Sequence, residues 1–238
     1  ELTVPAGTTT AVVGSTGSGK STLASLVPRL HDPTAGRVSI DGIDVARLDP
    51  ADLAAIVGVV SQETYLIHAS VRDNLRLADP EATDERLWAA LETAQAAGFV
   101  RERTTGEGET AAGGLDSRLS QGGTDVSGGQ RQRLSIARML VAQPLIYLFD
   151  DSFSALDVAT DAKVRAAMRA SFAEREQPVT SIIVAQRVAS IRDADQILVL
   201  DAGRIVDRGT HEELLGRCAV YQEIVDSQET AGVAGGEN

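Results

Sequence analysis

The chain has 238 residues, 43% of them hydrophobic, which is enough to bury a substantial core in one domain, with or without a lobe set into it. Asp and Glu outnumber Lys and Arg 34 to 22, a net charge of −12, and no basic block offers the positive stripe that a phosphate backbone requires; neither DNA nor RNA is an expected partner. A single cysteine, Cys218, excludes an intrachain disulfide and cysteine-built zinc sites, fits a reducing compartment, and reads as a small buried side chain in a C-terminal helix.

The N-terminus carries no signal-peptide pattern, and no run approaches the roughly 20 apolar residues of a membrane helix. Glu1 leads within a few residues into the strand-like TTTAVV, which reads as the middle of a domain and suggests an excised module with its first strands missing. Residues 8–28 are expected as strand, loop and helix, from β-branched TTTAVVG to helically spaced STLASLV. HDPTAGRVSIDG reads as turn, strand, turn, and a further strand precedes VVSQET. Alanine- and leucine-rich helix dominates residues 64–140, with DERLWAALETAQAAGFV its clearest example and Trp88 and Phe99 expected as core or lobe-packing residues. Strands return in PLIYLFD, TSIIVA and QILVLDAGRIV. Thr210 and Glu213 form a capping box that opens the helix THEELL, and ETAGVAGGEN reads as a frayed tail. Strands, helical insert and strands again predict an α/β parallel sheet interrupted by a helical lobe.

GSTGSGKST, comprising Gly14, Ser15, Thr16, Gly17, Ser18, Gly19, Lys20, Ser21 and Thr22, fits G-x-x-x-x-G-K-[ST] between a strand and a helix, the context that gives this motif meaning. Its glycines let backbone N–H groups turn toward a triphosphate, the helix start adds partial positive charge, Lys20 adds a full one, and Ser21 can reach Mg²⁺. Asp150 closes the buried-strand run LIYLF and suits a metal-facing position. Gln62, at a strand end, could complete the Mg²⁺ shell or touch an attacking water.

DVSGGQRQRLSIARML turns a general P-loop protein into a particular one. Together with the phosphate loop, Gln62 in SQETYLIHASVRDNL, LIYLFDD and SALD, it resembles the ATP-binding domain of exporter-type ABC transporters over roughly residues 2–226. The resemblance implies a RecA-like parallel core with an inserted helical subdomain: 1–63 and 141–226 as the two parts of the core, 64–140 as the subdomain, 227–238 as a flexible tail. It implies ATP and Mg²⁺ as ligands, a second such domain as head-to-tail partner, and a fused or cognate transmembrane domain at the cytoplasmic face of a membrane. Ser127, Gly128, Gly129 and Gln130 would then contact the partner's ATP from a helix start, and Ser154, Ala155, Leu156 and Asp157 would form the loop between the two sites. The family places an adenine-stacking aromatic upstream of the phosphate loop, and no residue of this chain occupies that place.

Two departures fall on the hydrolytic chemistry. Where the family has a water-polarising glutamate this chain has Asp151, and where it has a histidine after the next strand this chain has Gln186. Aspartate is one methylene shorter, and a displacement of about an ångström can cost on the order of 10²-fold in rate. Gln186 donates a hydrogen bond but carries no charge, and losing a fixed transition-state donor costs roughly 3–4 kcal/mol. The signature retains its serine and glycines, with Val126 for the usual leucine, while Gln121 stands where exporters commonly carry glutamate. An impaired site beside a sound signature resembles one half of a heterodimeric exporter. The rival readings are an active homodimeric transporter ATPase, a nucleotide-dependent clamp that never cleaves, and a non-transport ATPase of the same superfamily. His31 reads as a surface residue, His211 as a first-turn helix residue, and His68 as surface or facing a membrane domain.

Overall fold

IYLFD, TSIIV and QILVLD each hold an unbroken apolar run (IYLF, IIV, ILVL), without the alternation of a half-solvated strand, as suits strands covered on both faces. The computed structural model describes residues 2–103 and 113–234, the last six of these by backbone alone. Its strands are β1 (Thr9–Gly14), the short hairpin pair β2 (Ser39–Ile40) and β3 (Ile43–Asp44), β4 (Val57–Val60), β5 (Ile146–Asp150), β6 (Thr180–Val184), β7 (Gln196–Asp201) and β8 (Arg204–Gly209). The main sheet has the order β4-β5-β6-β1-β7-β8. Within it β5, β6, β1 and β7 are mutually parallel and β8 closes one edge antiparallel. Val184 is opposite both Val12 and Asp150. The chain therefore leaves β1, β5 and β6 on the same edge, the carboxyl edge where open α/β sheets bind ligands.

Two compact units make up the chain. The first comprises 1–59, 145–154 and 179–238. It holds the sheet, α1 (Lys20–Ser25) and α2 (Pro50–Ile56). Its core packs Val12, Ala24, Leu148, Ile182, Leu198 and Leu200 together, and Val45, Leu53 and Val57 form a second cluster. The other unit comprises 60–144 and 155–178. It is helical: α3 (Val71–Arg76), α4 (Asp84–Thr93), α5 (Ala97–Glu102), α6 (Gly128–Ala142) and α7 (Val158–Ala173). Leu75, Leu87, Leu91, Val100, Leu134 and Ile136 are among its buried apolar residues. Returning to the first unit, the chain ends in α8 (His211–Arg217) and α9 (Ala219–Ala234). Among the described residues no helix is long and apolar enough to cross a membrane.

Several elements differ from the sequence reading, each for a local reason. The first helix stops at Ser25 and continues as turns, Val27 N–H bonding Ala24 O, because Pro28 has no N–H and its ring disfavours α geometry in the residue before it. VSIDGID becomes a hairpin whose corner residues, Asp41 (φ 49°) and Gly42 (φ 80°), are both left-handed as a type I′ turn requires. The expected helix 84–100 divides into α4 and α5. Gln95 turns left-handed (φ 56°), its N–H bonds Glu92 O and that of Ala96 bonds Leu91 O, a Schellman ending. The last helix, α9, runs to Ala234 through much of the expected tail. The remainder of that tail lies outside the described residues. Cys218 is buried but extended (φ −102°, ψ 103°), the joint between α8 and α9.

Candidate functional site

The loop after β1 turns by glycine. Gly17 (φ 80°) and Gly19 (φ 98°) take left-handed geometry that L side chains resist. Gly14 is required for a different reason: a Cβ on it would stand 2.2 Å from Leu200 O and 2.7 Å from Ser18 Oγ. The loop is braced by Ser18 N–H on Ser15 O (3.1 Å) and by Gly203 N–H on Ser18 O (3.1 Å). Ser15, Thr16 and Gly17 are exposed, and so are Ser21 and Thr22 at the start of α1. Lys20 folds back over the loop, its Nζ donating to Gly14 O and Ser15 O at 2.8 Å each. Burial lowers the Lys20 ammonium from its ordinary pKa, while the nearby charges of Asp151 and Asp150 raise it. This is a cationic cradle of backbone donors open to solvent, suited to a phosphate chain. Beside it lies a cleft of about 770 Å³, bordered by Leu2, Thr22, Leu26, Ile205 and Arg208.

The end of β5 brings the carboxylates to this loop, and the end of β6 brings Gln186. Ser21 Oγ donates to Asp150 Oδ1 at 3.0 Å across 129 residues of sequence. These are two hard oxygen donors at hydrogen-bond separation, a pair that fits Mg²⁺. Among the described residues no group of three or more His, Cys, Asp or Glu converges, so Mg²⁺ held by Ser21 and Asp150 would complete its shell with phosphate oxygens and water, its usual habit.

Asp151 is 8% exposed and left-handed (φ 49°), a conformation aspartate tolerates better than most residues. Its N–H bonds Val184 O (2.9 Å), and its carbonyl accepts from Ser154 N–H (3.3 Å) and Ser154 Oγ (2.8 Å). The two sequence departures meet: Gln186 Nε2 donates to Asp151 Oδ2 at 2.8 Å. Burial pushes the Asp151 carboxyl above its ordinary pKa; Ser154 opposes this, Asp150 adds to it, and Gln186 and Arg187 pull it down.

In the helical unit Gln62 is exposed in the loop after β4, and His68 is exposed further along it. Ser127 caps α6 in a capping box: its Oγ accepts from Gln130 N–H (3.2 Å), and Gln130 Oε1 accepts from Ser127 N–H (3.0 Å). Gly128 leaves room, and a Cβ on Gly129 would press to 3.1 Å on Ala155 O. Asp157 caps α7 through Thr160 N–H (2.9 Å), and that contact holds its carboxyl below the usual pKa. Leu156 is buried. Gln121 bonds Tyr65 Oη at 3.2 Å. Trp88 lies under Arg101, and Phe99 under Arg133. His31 is exposed, and His211 hydrogen-bonds Tyr221.

Sequence reading missed three contributors. Arg187 donates from Nη2 to Ser154 O (2.9 Å); Gly203 braces the phosphate loop; and Gln228 bonds the Gln186 backbone. Only Arg187 carried a signal, its adjacency to Gln186.

The ABC transporter family profile matches residues 1–154. An uncharacterized ABC transporter ATP-binding protein of Mycobacterium tuberculosis is 48% identical over 99% of the chain and 38% of its own length. The mycobactin import ATP-binding/permease protein IrtB of Mycolicibacterium smegmatis is 43% identical over 94% of the chain and 37% of its own length. A bacterial Atm1-family ABC exporter solved with ATP bound superposes with a TM-score of 0.86 and 37% identity, over 94% of the chain and 38% of the exporter. The chain thus spans little more than a third of each of these proteins. With a phosphate cradle, a paired serine and aspartate, and a capped SGGQ helix on a fold shared with that exporter, this chain belongs to the ABC transporter family as an ATP-binding domain.

Proposed function

We propose that this chain is the ATP-binding half of a heterodimeric ABC exporter, acting at the cytoplasmic face of a membrane with a fused or cognate transmembrane domain. Its own site retains ATP·Mg²⁺ and hydrolyses it slowly, and its Ser127–Gln130 segment completes the partner's hydrolytic site. Lys20 and the loop glycines hold the phosphates, Ser21 and Asp150 hold Mg²⁺, and residues 154–157 run between the two sites.

The observation that carries the reading is the 2.8 Å hydrogen bond from Gln186 to Asp151. It ties one carboxylate oxygen, the group that would take a proton from water, to the side chain that would otherwise donate to the γ-phosphate. A neutral amide does not exchange that proton, and the shorter acid is held back from the phosphate by its own partner. A second reading, a slow but active site in a homodimer, draws support from burial of Asp151, which makes its carboxylate more basic.

The test uses the membrane-reconstituted transporter with its partner. After loading with ATP labelled at the α- or γ-phosphate and rapid desalting, both labels should remain bound together at one site per dimer over many turnovers. Loss of the γ label at this site as fast as at the partner's would refute the retention and favour the second reading.

A further inference from the structure

The last helix reaches the Gln186 loop with a single side chain. Gln228 of α9 accepts at Oε1 from Val188 N–H (2.7 Å) and donates from Nε2 to Gln186 O (2.6 Å), across 40 and 42 residues of sequence. One amide thus bonds the C=O of one residue and the N–H of the second residue on, the pattern a neighbouring strand would offer, at a place where β6 has already ended. The helix carrying it is seated by the same face. Tyr221, Val225 and Gln228 recur at i, i+4 and i+7; Tyr221 is fully buried, Val225 is 8% exposed, and Tyr221 Oη meets His211 Nδ1 at 2.8 Å. An apolar residue would extend that stripe; a glutamine there bridges two backbone groups instead.

Resting on the site reading above, we infer that Gln228 is a positioning residue for Gln186: it fixes the loop backbone so that the Gln186 amide meets Asp151, and it makes α9 a control element for the water-handling end of the nucleotide site. The tolerance is small. A backbone shift of about an ångström at Gln186 would stretch its 2.8 Å contact with Asp151 beyond hydrogen-bonding range. Whatever moves α9 along or away from the loop therefore changes the partner of Asp151 without touching nucleotide.

The test uses the full-length transporter in lipid nanodiscs, with Gln228→Leu, Gln228→Glu, Gln186→Ala and the double variant Gln228→Leu/Gln186→Ala. Amide exchange at Val188 should rise roughly tenfold in Gln228→Leu, the factor expected for one lost hydrogen bond. Retention of ATP should change in the direction seen for Gln186→Ala, with ATP affinity within about twofold. Adding Gln228→Leu to Gln186→Ala should change retention less than about twofold, because residues acting through one contact do not add. Gln228→Glu keeps the acceptor but sets a carboxylate against Gln186 O, so its defect should reverse as the acid protonates and regains a donor. Unchanged Val188 exchange in Gln228→Leu, or retention effects that multiply in the double variant, would overturn the inference. Should Gln186→Ala alone leave both hydrolysis and retention unchanged, the reading of the site fails, and Val188 exchange still decides whether Gln228 holds the loop.

Discussion

Restoring the family residues at positions 151 and 186 is the sharpest perturbation. Asp151→Glu extends the carboxylate by about an ångström, and a displacement of that size is worth on the order of 10²-fold, or about 2.7 kcal/mol of barrier. Gln186→His replaces a neutral amide with a donor able to carry charge, worth roughly another 10²–10³-fold where such a donor faces the transition state. Because the two side chains touch at 2.8 Å, the gains will not simply multiply; a combined gain of about 10²-fold or somewhat more is expected. The backbone sets a cost. Asp151 sits at φ 49°, where glutamate lacks the short polar side chain that eases left-handed geometry, so about 1 kcal/mol of stability should be lost. For a chain of this size that lowers Tm by about 2–4 °C. The assay is single-turnover release of phosphate from γ-labelled ATP in the reconstituted transporter with the partner's site inactivated. If Asp151→Glu and the double variant both stay within about threefold of the parent, less than 1 kcal/mol of barrier, the geometric argument is wrong.

Gly14→Ala should destabilise this domain by about 1–3 kcal/mol or more, because the new methyl meets the Leu200 carbonyl at 2.2 Å and only backbone can give way; calorimetry with and without MgATP should show a lowered Tm and no ligand-induced rise. Ser127→Ala removes the N-cap acceptor of Gln130 N–H and should cost about 1 kcal/mol, while lowering hydrolysis at the partner's site and sparing ATP retention at this one. Asp125 is held at about 2 against the cost of its burial by Ser120 and Arg103. Its folded pKa is depressed, so its stabilisation is fully present above the unfolded value of 3.8 and is lost as pH falls toward about 2. The Tm gap between the parent and Asp125→Asn should therefore close across that window; a gap independent of pH would assign the effect to packing.

Much of this protein could be read from short windows of sequence because the physics there is short-ranged. The phosphate loop is a run of nine residues in which Gly17, Gly19 and Lys20 act within their own turn, and the capping box at Thr210 closes over three residues. Apolar runs announced the parallel strands. Errors arose where a local pattern had two solutions: DERLWAALETAQAAGFV has helical composition throughout, and only the left-handed Gln95, whose carbonyl is held by Arg133, divides it. The Gly/Ala-rich end that suggested a frayed tail is helical to Ala234 because Tyr221 and Val225 bury one face of α9.

Sequence alone thus determined the family, the kind of ligand and the two unusual residues, since each is written in contiguous motifs. Only tertiary structure decided that Asp151 and Gln186, 35 residues apart, hydrogen-bond one another, that Ser21 meets Asp150, and that Gln228 holds the Gln186 loop. Those pairings depend on strand order and register, which place the ends of β1, β5 and β6 on a single edge. No local propensity encodes which strand lies beside which; burial of the whole sheet does.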